Sequence, residues 1–152
     1  MRGETVFVLS NRQRSLPFDL TFIKPVVQCA LPRCLELVRS SEVPLGRLER
    51  IEAVILGNRS IAKVHGDFLG DLTPTDVITF PYGEILLGAG VVSENAGRFG
   101  HSASEEAALC IIHGILHLAG WEDQTADEAK DMARKQEQVF KVARKMVCSR
   151  IS

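Results

Sequence analysis

The sequence predicts an α+β fold: a small four-stranded mixed sheet packed with about five helices, with two histidines on a central helix. Three observations carry that reading. Short apolar, β-branched runs gather in the first two-thirds of the chain. Two long segments with helical apolar spacing close it. No internal repeat, linker or low-complexity stretch divides the 152 residues, so residues 1–152 read as one domain, large enough to bury a core.

Residues 6–10 read as a short strand and residues 11–17 as a polar turn. From residue 22 to 38, apolar side chains recur at helical spacing: Ile23, Val26, Val27, Ala30, Leu31, Cys34, Leu35 and Val38. Pro25 fits a first turn. Pro32 should interrupt or kink the middle, because it lacks an amide hydrogen and its ring crowds the preceding turn. Residues 40–46 form a loop and residues 50–56 a second strand, closed by Gly57-Asn58. Ser60 is placed to cap a short helix over 61–69. After a loop over 70–75, residues 76–80 form a third strand and Pro81-Tyr82-Gly83 a turn. Residues 85–92 read as the fourth strand, where Gly88 and Gly90 mark a bulge or a close backbone approach. Residues 93–99 form a short helix ending at Gly100. Ser102 or Ser104 caps the long histidine-bearing helix, with Glu105 and Glu106 in a first turn that favours acidic residues. Thr125 caps a last helix to about residue 147, with an apolar face of Ala129, Met132, Ala133, Gln136, Val139, Phe140 and Ala143.

Composition excludes several classes. The net charge is −1, so the basic excess of a general nucleic-acid binder is missing, and any RNA contact must rest on a local patch. No apolar run approaches the ~18 residues of a membrane span, and no membrane partner is expected. Residues 1–9 carry an arginine, then a glutamate, and no small-residue cleavage site, which does not read as a signal peptide. The four cysteines, Cys29, Cys34, Cys110 and Cys148, form no Cys-x-x-Cys pair. Neither a zinc ribbon nor a thioredoxin-type site is expected, and free thiols in a reducing cytoplasm account for them.

The stretch Ile112-His113-Gly114-Ile115-Leu116-His117-Leu118-Ala119-Gly120-Trp121-Glu122-Asp123 carries the chemistry. Histidines at i and i+4 share one face of a helix and can address one ion. Gly120 suits a left-handed helix end that brings Asp123 back as a third ligand. Two histidines and a carboxylate, with a fourth position open, compose a catalytic zinc site rather than a closed structural one. Such an ion lowers the pKa of bound water towards ~7 and serves hydrolysis. Zincin peptidases place a glutamate directly after the first histidine; Gly114 stands there and disfavours that class. Glu106, two turns before His113, falls on about the same helix face and is a further candidate for orienting a ligand or a water. Glu122 competes with Asp123 as the third ligand, with register favouring Asp123.

These residues resemble the YbeY family of metal-dependent endoribonucleases. The match consists of His-Gly-x-Leu-His-Leu-x-Gly-aromatic at 113–121, followed by an acidic helix containing Glu128, Met132 and Glu137. Upstream lies Pro74-Thr75-Asp76-Val77-Ile78-Thr79-Phe80, with Leu87-Gly88 beginning the next family strand. The resemblance runs from about residue 51 to residue 140. It implies a single-domain cytoplasmic protein with one Zn2+ per chain, held by His113, His117 and Asp123. The implied substrate is single-stranded ribosomal RNA, in 3′ end maturation of small-subunit rRNA and in ribosome quality control. Partners would be the small ribosomal subunit and its assembly factors.

Three departures stand out. The commonest family motif ends Tyr-Asp-His where this chain has Trp121-Glu122-Asp123, so the chain follows a minority form with Asp at the third ligand. An arginine seven residues before the Asp of Thr-Asp-Val, thought to help with the RNA phosphate, is here Leu69; Arg59, Lys63 and Arg98 are the available substitutes. The family's Leu-Gly-Asp-Ile also becomes Leu87-Gly88-Ala89-Gly90, without its acid. These losses keep a second reading open, a non-catalytic ribosome assembly factor with a structural or vestigial metal site. His65 and His101 read as surface and loop residues, Thr75 and Asp76 as turn residues or substrate contacts. Trp121 reads as packing behind the metal turn, with base stacking as its alternative.

Overall fold

A computed structural model of the chain describes residues 4–151. The reading of residues 1–9 as no leader falls in part on residues 1–3, and the single-domain reading takes in residue 152; those residues lie outside the described ones. The order of elements is β1 (Val6–Asn11), α1 (Leu20–Glu36), a 3-10 turn (Pro44–Arg47), β2 (Arg50–Leu56), α2 (Asn58–Leu69), β3 (Val77–Thr79), β4 (Glu84–Gly88), α3 (Ala89–Phe99), α4 (Ala103–Leu118) and α5 (Ala126–Ile151). The sheet runs β1-β2-β4-β3. β1, β2 and β4 are parallel, and β3 is antiparallel to β4. This is the expected α+β architecture, a four-stranded mixed sheet with five α-helices.

Alternation along the strands sorts side chains to two faces. Phe7, Ile51, Ala53, Ile55, Ile85 and Leu87 join the large core built with α1, α4 and α5. Val54, Ile78 and Leu86 point the other way and pack with Ile61 and Val64 of α2. Apolar on nearly every side, α4 lies buried between the sheet, α1, α3 and α5. Its start is fixed by a reciprocal capping box. Ser102 Oγ accepts from the Glu105 amide at 3.0 Å, and Glu105 Oε1 accepts from the Ser102 amide at 3.1 Å. Ser104, the alternative cap, instead accepts from the Asp19 amide at 2.8 Å.

Several boundaries differ from the sequence reading. The fourth strand does not reach residue 92: it stops at Gly88, and α3 begins at Ala89 rather than residue 93. Both glycines do mark close approaches. A Cβ on Gly88 would lie 2.0 Å from the Thr75 carbonyl oxygen, and one on Gly90 would lie 2.3 Å from Asn58 Oδ1. Pro32 does not break α1, which is continuous. Pro32 sits on the exposed stripe of α1, where water can serve the carbonyl it leaves without an amide. Gly57, not Ser60, is the N-cap of α2, so this helix starts three residues early. The third strand is confined to Val77–Thr79, a 3-10 turn occupies part of the 40–46 loop, and α5 continues to Ile151. On α5, Met132, Val139, Phe140, Ala143 and Val147 are buried, while Ala129 and Ala133 are exposed.

Among the described residues no helix is long and apolar enough to cross a membrane. All four cysteines are unpaired, with Cys29, Cys34 and Cys110 buried and Cys148 exposed. Burial pushes the Cys34 thiol up to about 12.

Candidate metal centre

His113 and His117 occupy the last two turns of α4. Gly120 ends the helix with φ +99°, in the left-handed region. The Trp121 amide donates to the Leu116 carbonyl at 3.1 Å and the Gly120 amide to the His117 carbonyl at 2.9 Å, which is a Schellman closure. The reversed chain carries Asp123 back over the histidines. His113 Nε2 and His117 Nε2 lie 3.0 Å apart; Asp123 Oδ2 is 3.2 Å from the first and 3.6 Å from the second. Glu122, the competing ligand, is not in the cluster.

The outer ring nitrogens decide what these atoms can bind. His117 Nδ1 is 2.9 Å from the Trp121 carbonyl oxygen, which only accepts, so Nδ1 carries the proton. His113 Nδ1 donates to Gln136 Oε1 of α5 at 2.8 Å. In the neutral rings both Nε2 atoms therefore present lone pairs to each other and to a carboxylate oxygen. That convergence is repulsive until a cation lies among the three. Tetrahedral ligands on a zinc ion with bonds of ~2.0–2.1 Å lie roughly 3.3 Å apart. The observed separations bracket that value, so the donor set fits a zinc-sized ion, and the two outer hydrogen bonds supply the orientation such ligands need.

The cluster opens into a cleft of about 850 Å³ that Asp76, Thr79, Phe80, Glu106 and Gln136 also line. Glu106 is buried, with Oε1 2.7 Å from His101 Nε2 and Oε2 accepting from the Cys110 thiol at 3.7 Å. Burial, with Glu106 and Asp76 nearby, raises the Cys110 thiol well above its ordinary pKa, so it stays protonated at neutral pH. Gly114 is where α4 meets the sheet: a Cβ there would lie 2.7 Å from Thr79 Oγ1 and 3.1 Å from Ile85 Cδ1. The glutamate of a zincin would have no room at this position.

Trp121 packs behind the turn. Its Nε1 donates to the Leu37 carbonyl at 2.8 Å, and Arg39 Cζ and Lys135 Nζ lie 4.6 and 3.9 Å from its ring centroid. It is not among the cleft-lining residues. His65 holds the following loop through Nδ1, 2.8 Å from the Thr73 carbonyl oxygen, and stands outside the cluster. Asp76 caps the start of β3 by accepting from the Val77 amide at 2.8 Å while lining the cleft. Leu69 lines the cleft; Arg59, Lys63 and Arg98, the possible replacements for an arginine there, do not. Sequence reasoning missed two residues. Gln136 sat within the predicted apolar face of the last helix, and its being the polar member of that stripe was the available signal. His101 read as loop, although Glu106 lies five residues on.

Fold and cluster together define a class: an α+β protein with a candidate hydrolytic metal centre, two helical histidines and a returning carboxylate, in an open cleft. The family model described as Endoribonuclease YbeY matches residues 9–144. The chain belongs to that family. A relative named Endoribonuclease YbeY from Chlorobium phaeovibrioides is 30% identical over 145 residues, spanning 91% of this chain and 90% of the relative. One of the same name from Chlorobaculum tepidum is 36% identical over 99 residues, 60% of this chain and 72% of the relative. The fold is similar to the solution structure of TM1509 from Thermotoga maritima, with TM-score 0.60 and 24% identity over 95% of this chain and 93% of that one.

Proposed function

We propose that this endoribonuclease is zinc-dependent and cuts single-stranded ribosomal RNA in the cytoplasm, in 3′ end maturation of the small-subunit rRNA and in ribosome quality control. The small subunit and its assembly factors are its partners in this reading. Family membership supports RNA phosphodiester hydrolysis; the reading of the site rests on one observation, three lone-pair atoms converging at 3.0–3.6 Å with their outer partners satisfied.

His113, His117 and Asp123 would hold the ion, which when bound supplies Lewis-acid activation for hydrolysis. The rest falls to this chain's own residues. In the neutral rings, Gln136 and the Trp121 carbonyl hold the proton on Nδ1 and aim each Nε2 inward. Glu106, buried in the same cleft with His101 on Oε1 and the Cys110 thiol on Oε2, is the carboxylate of the cleft wall that would serve as general base. Asp123 would add a negative charge to the ligand set, which would widen the acceptable metals towards manganese.

The test is elemental analysis of the purified protein together with cleavage of a single-stranded RNA bearing the 3′ end of small-subunit rRNA. About one zinc per chain and cutting in the wild type, both lost in His117→Ala, is the expected result. Cutting that persists in His117→Ala would overturn the metal reading. The second reading, a non-catalytic assembly factor, is favoured by Leu69 standing in the cleft where a phosphate-binding cation would serve. Small-subunit binding without cleavage, surviving Asp123→Ala, would establish it.

A further inference from the structure

Resting on the reading that single-stranded RNA is the substrate, we propose that the cleft grips its substrate by the nucleobases, on an aromatic platform of Phe68, Phe80 and Tyr82, rather than by the phosphates.

The first ground is the platform itself. Phe80 stands between two rings: Phe68 meets it edge-on, with centroids 5.2 Å apart and planes at 71°, and Tyr82 stacks on it at 5.4 Å and 17°. Phe68 and Tyr82 remain 66% and 64% exposed. Single exposed apolar side chains need no account, but contiguous ones mark a binding surface. Here Leu69, 64% exposed, extends the patch, and Phe68, Leu69 and Phe80 line the same cleft as the metal ligands. Two of the rings, Phe80 and Tyr82, are also held in place. Phe80 is clamped by its neighbours, and the Tyr82 hydroxyl donates to Glu84 Oε1 at 2.9 Å. Rigid rings cost little to order on binding.

The second ground is charge. No lysine or arginine is among the described residues lining the cleft, whereas Asp76, Glu106 and Asp123 are; Tyr82 lines the neighbouring groove, where Arg50 is paired with Glu52 at 2.7 Å. A phosphate entering the cleft meets no cation of the protein other than whatever ion the ligands hold. A neutral base with an open π-face meets no such penalty, and bases offer that face only when unpaired and unstacked. Aromatic rings beside an acidic cleft therefore select single strands through their bases.

The experiment measures binding of the full, zinc-loaded chain to a labelled 2′-O-methyl RNA hexamer and to the same backbone without bases. Abasic backbone should fail to bind. Phe68→Ala and Tyr82→Ala should each weaken binding roughly 5- to 100-fold, the span expected for loss of one stacked base, while Phe68→Tyr retains it. The slope of log affinity against log salt should be shallower than about −1.5, as for at most two phosphate contacts. Equal binding of the abasic backbone, a steep salt slope, or unaltered affinity in both alanine variants overturns the proposal. So does association between copies of the chain that Phe68→Ala abolishes and bases do not affect. RNA cutting that is unchanged in KM in both variants rejects the platform and leaves the nuclease reading intact. A wild type that neither binds nor cuts RNA rejects both.

Discussion

Removing the Gln136 side chain tests how the candidate metal centre is oriented. Its Oε1 takes the Nδ1 proton of His113 at 2.8 Å across the α4–α5 contact. In Gln136→Ala that proton has no protein acceptor, and the ring gains both its second tautomer and rotational freedom. A neutral hydrogen bond contributes about 1 kcal/mol net, and loss of such an outer partner lowers metal affinity about 10- to 100-fold, or about 1.4–2.7 kcal/mol. Half-buried at the cleft wall, Gln136 contributes little to the apolar core, so the metal-free protein should unfold at nearly the same urea concentration. Gln136→Glu presents an acceptor at the same place and should retain affinity or raise it. The assay is zinc competition against a chromophoric chelator at neutral pH. Affinity in Gln136→Ala within twofold of wild type, with unchanged metal-free stability, would refute the assigned tautomer and the role of α5.

Two further outcomes follow from the ends of α4. Gly120→Ala places a Cβ at φ +99° and 2.8 Å from Val43 Cγ1, so it should destabilise by about 1–3 kcal/mol and loosen zinc by displacing Asp123. A wild-type urea midpoint would count against it. At the other end, the Ser102 backbone amide foremost, aided by its hydroxyl and by Arg144, holds the Glu105 carboxyl below its ordinary pKa. A depressed folded pKa means stability present above the ordinary carboxylate range and lost as pH falls through the lowered value. Glu105→Gln should therefore be less stable than wild type at neutral pH, with the gap closing on acidification; a gap constant with pH would exclude this.

Most of the fold could be read from residues whose local and tertiary preferences agree. β2 has a strand-length apolar run, and α4 and α5 carry capping boxes just ahead of helical apolar spacing. Reading failed where one composition serves two structures. The run from Ile85 to Val92 is apolar throughout, and Ala89, Val92 and Ala96 bury as well on a helix as the first four residues do on a strand. The boundary falls where the chain passes closely under Thr75 at Gly88 and beside Asn58 at Gly90, tertiary contacts that the run itself does not encode. Pro32 misled because a proline costs a helix less where water can reach the affected carbonyl. At the site, His113, His117 and Asp123 were legible because a helical repeat and one glycine turn bring them together. Gln136 acts across a tertiary contact between α4 and α5 that spacing does not encode, whereas His101 reaches Glu106 only five residues on, around the start of α4. The aromatic platform was equally hidden, since Phe68 and Tyr82 meet only through Phe80 once β3 is in place.

Trp121 is the one tryptophan of the chain, and it is part of the turn that returns Asp123 to the histidines. The protein's indole emission therefore comes from a point beside the candidate metal centre, between two cationic side chains and under a single hydrogen bond to Leu37. Fluorescence reports the opening of this turn, whereas far-ultraviolet circular dichroism reports the helices as a whole. Their melting curves coincide only where the turn opens with the core, and a fluorescence transition at lower denaturant measures the free energy of local opening directly.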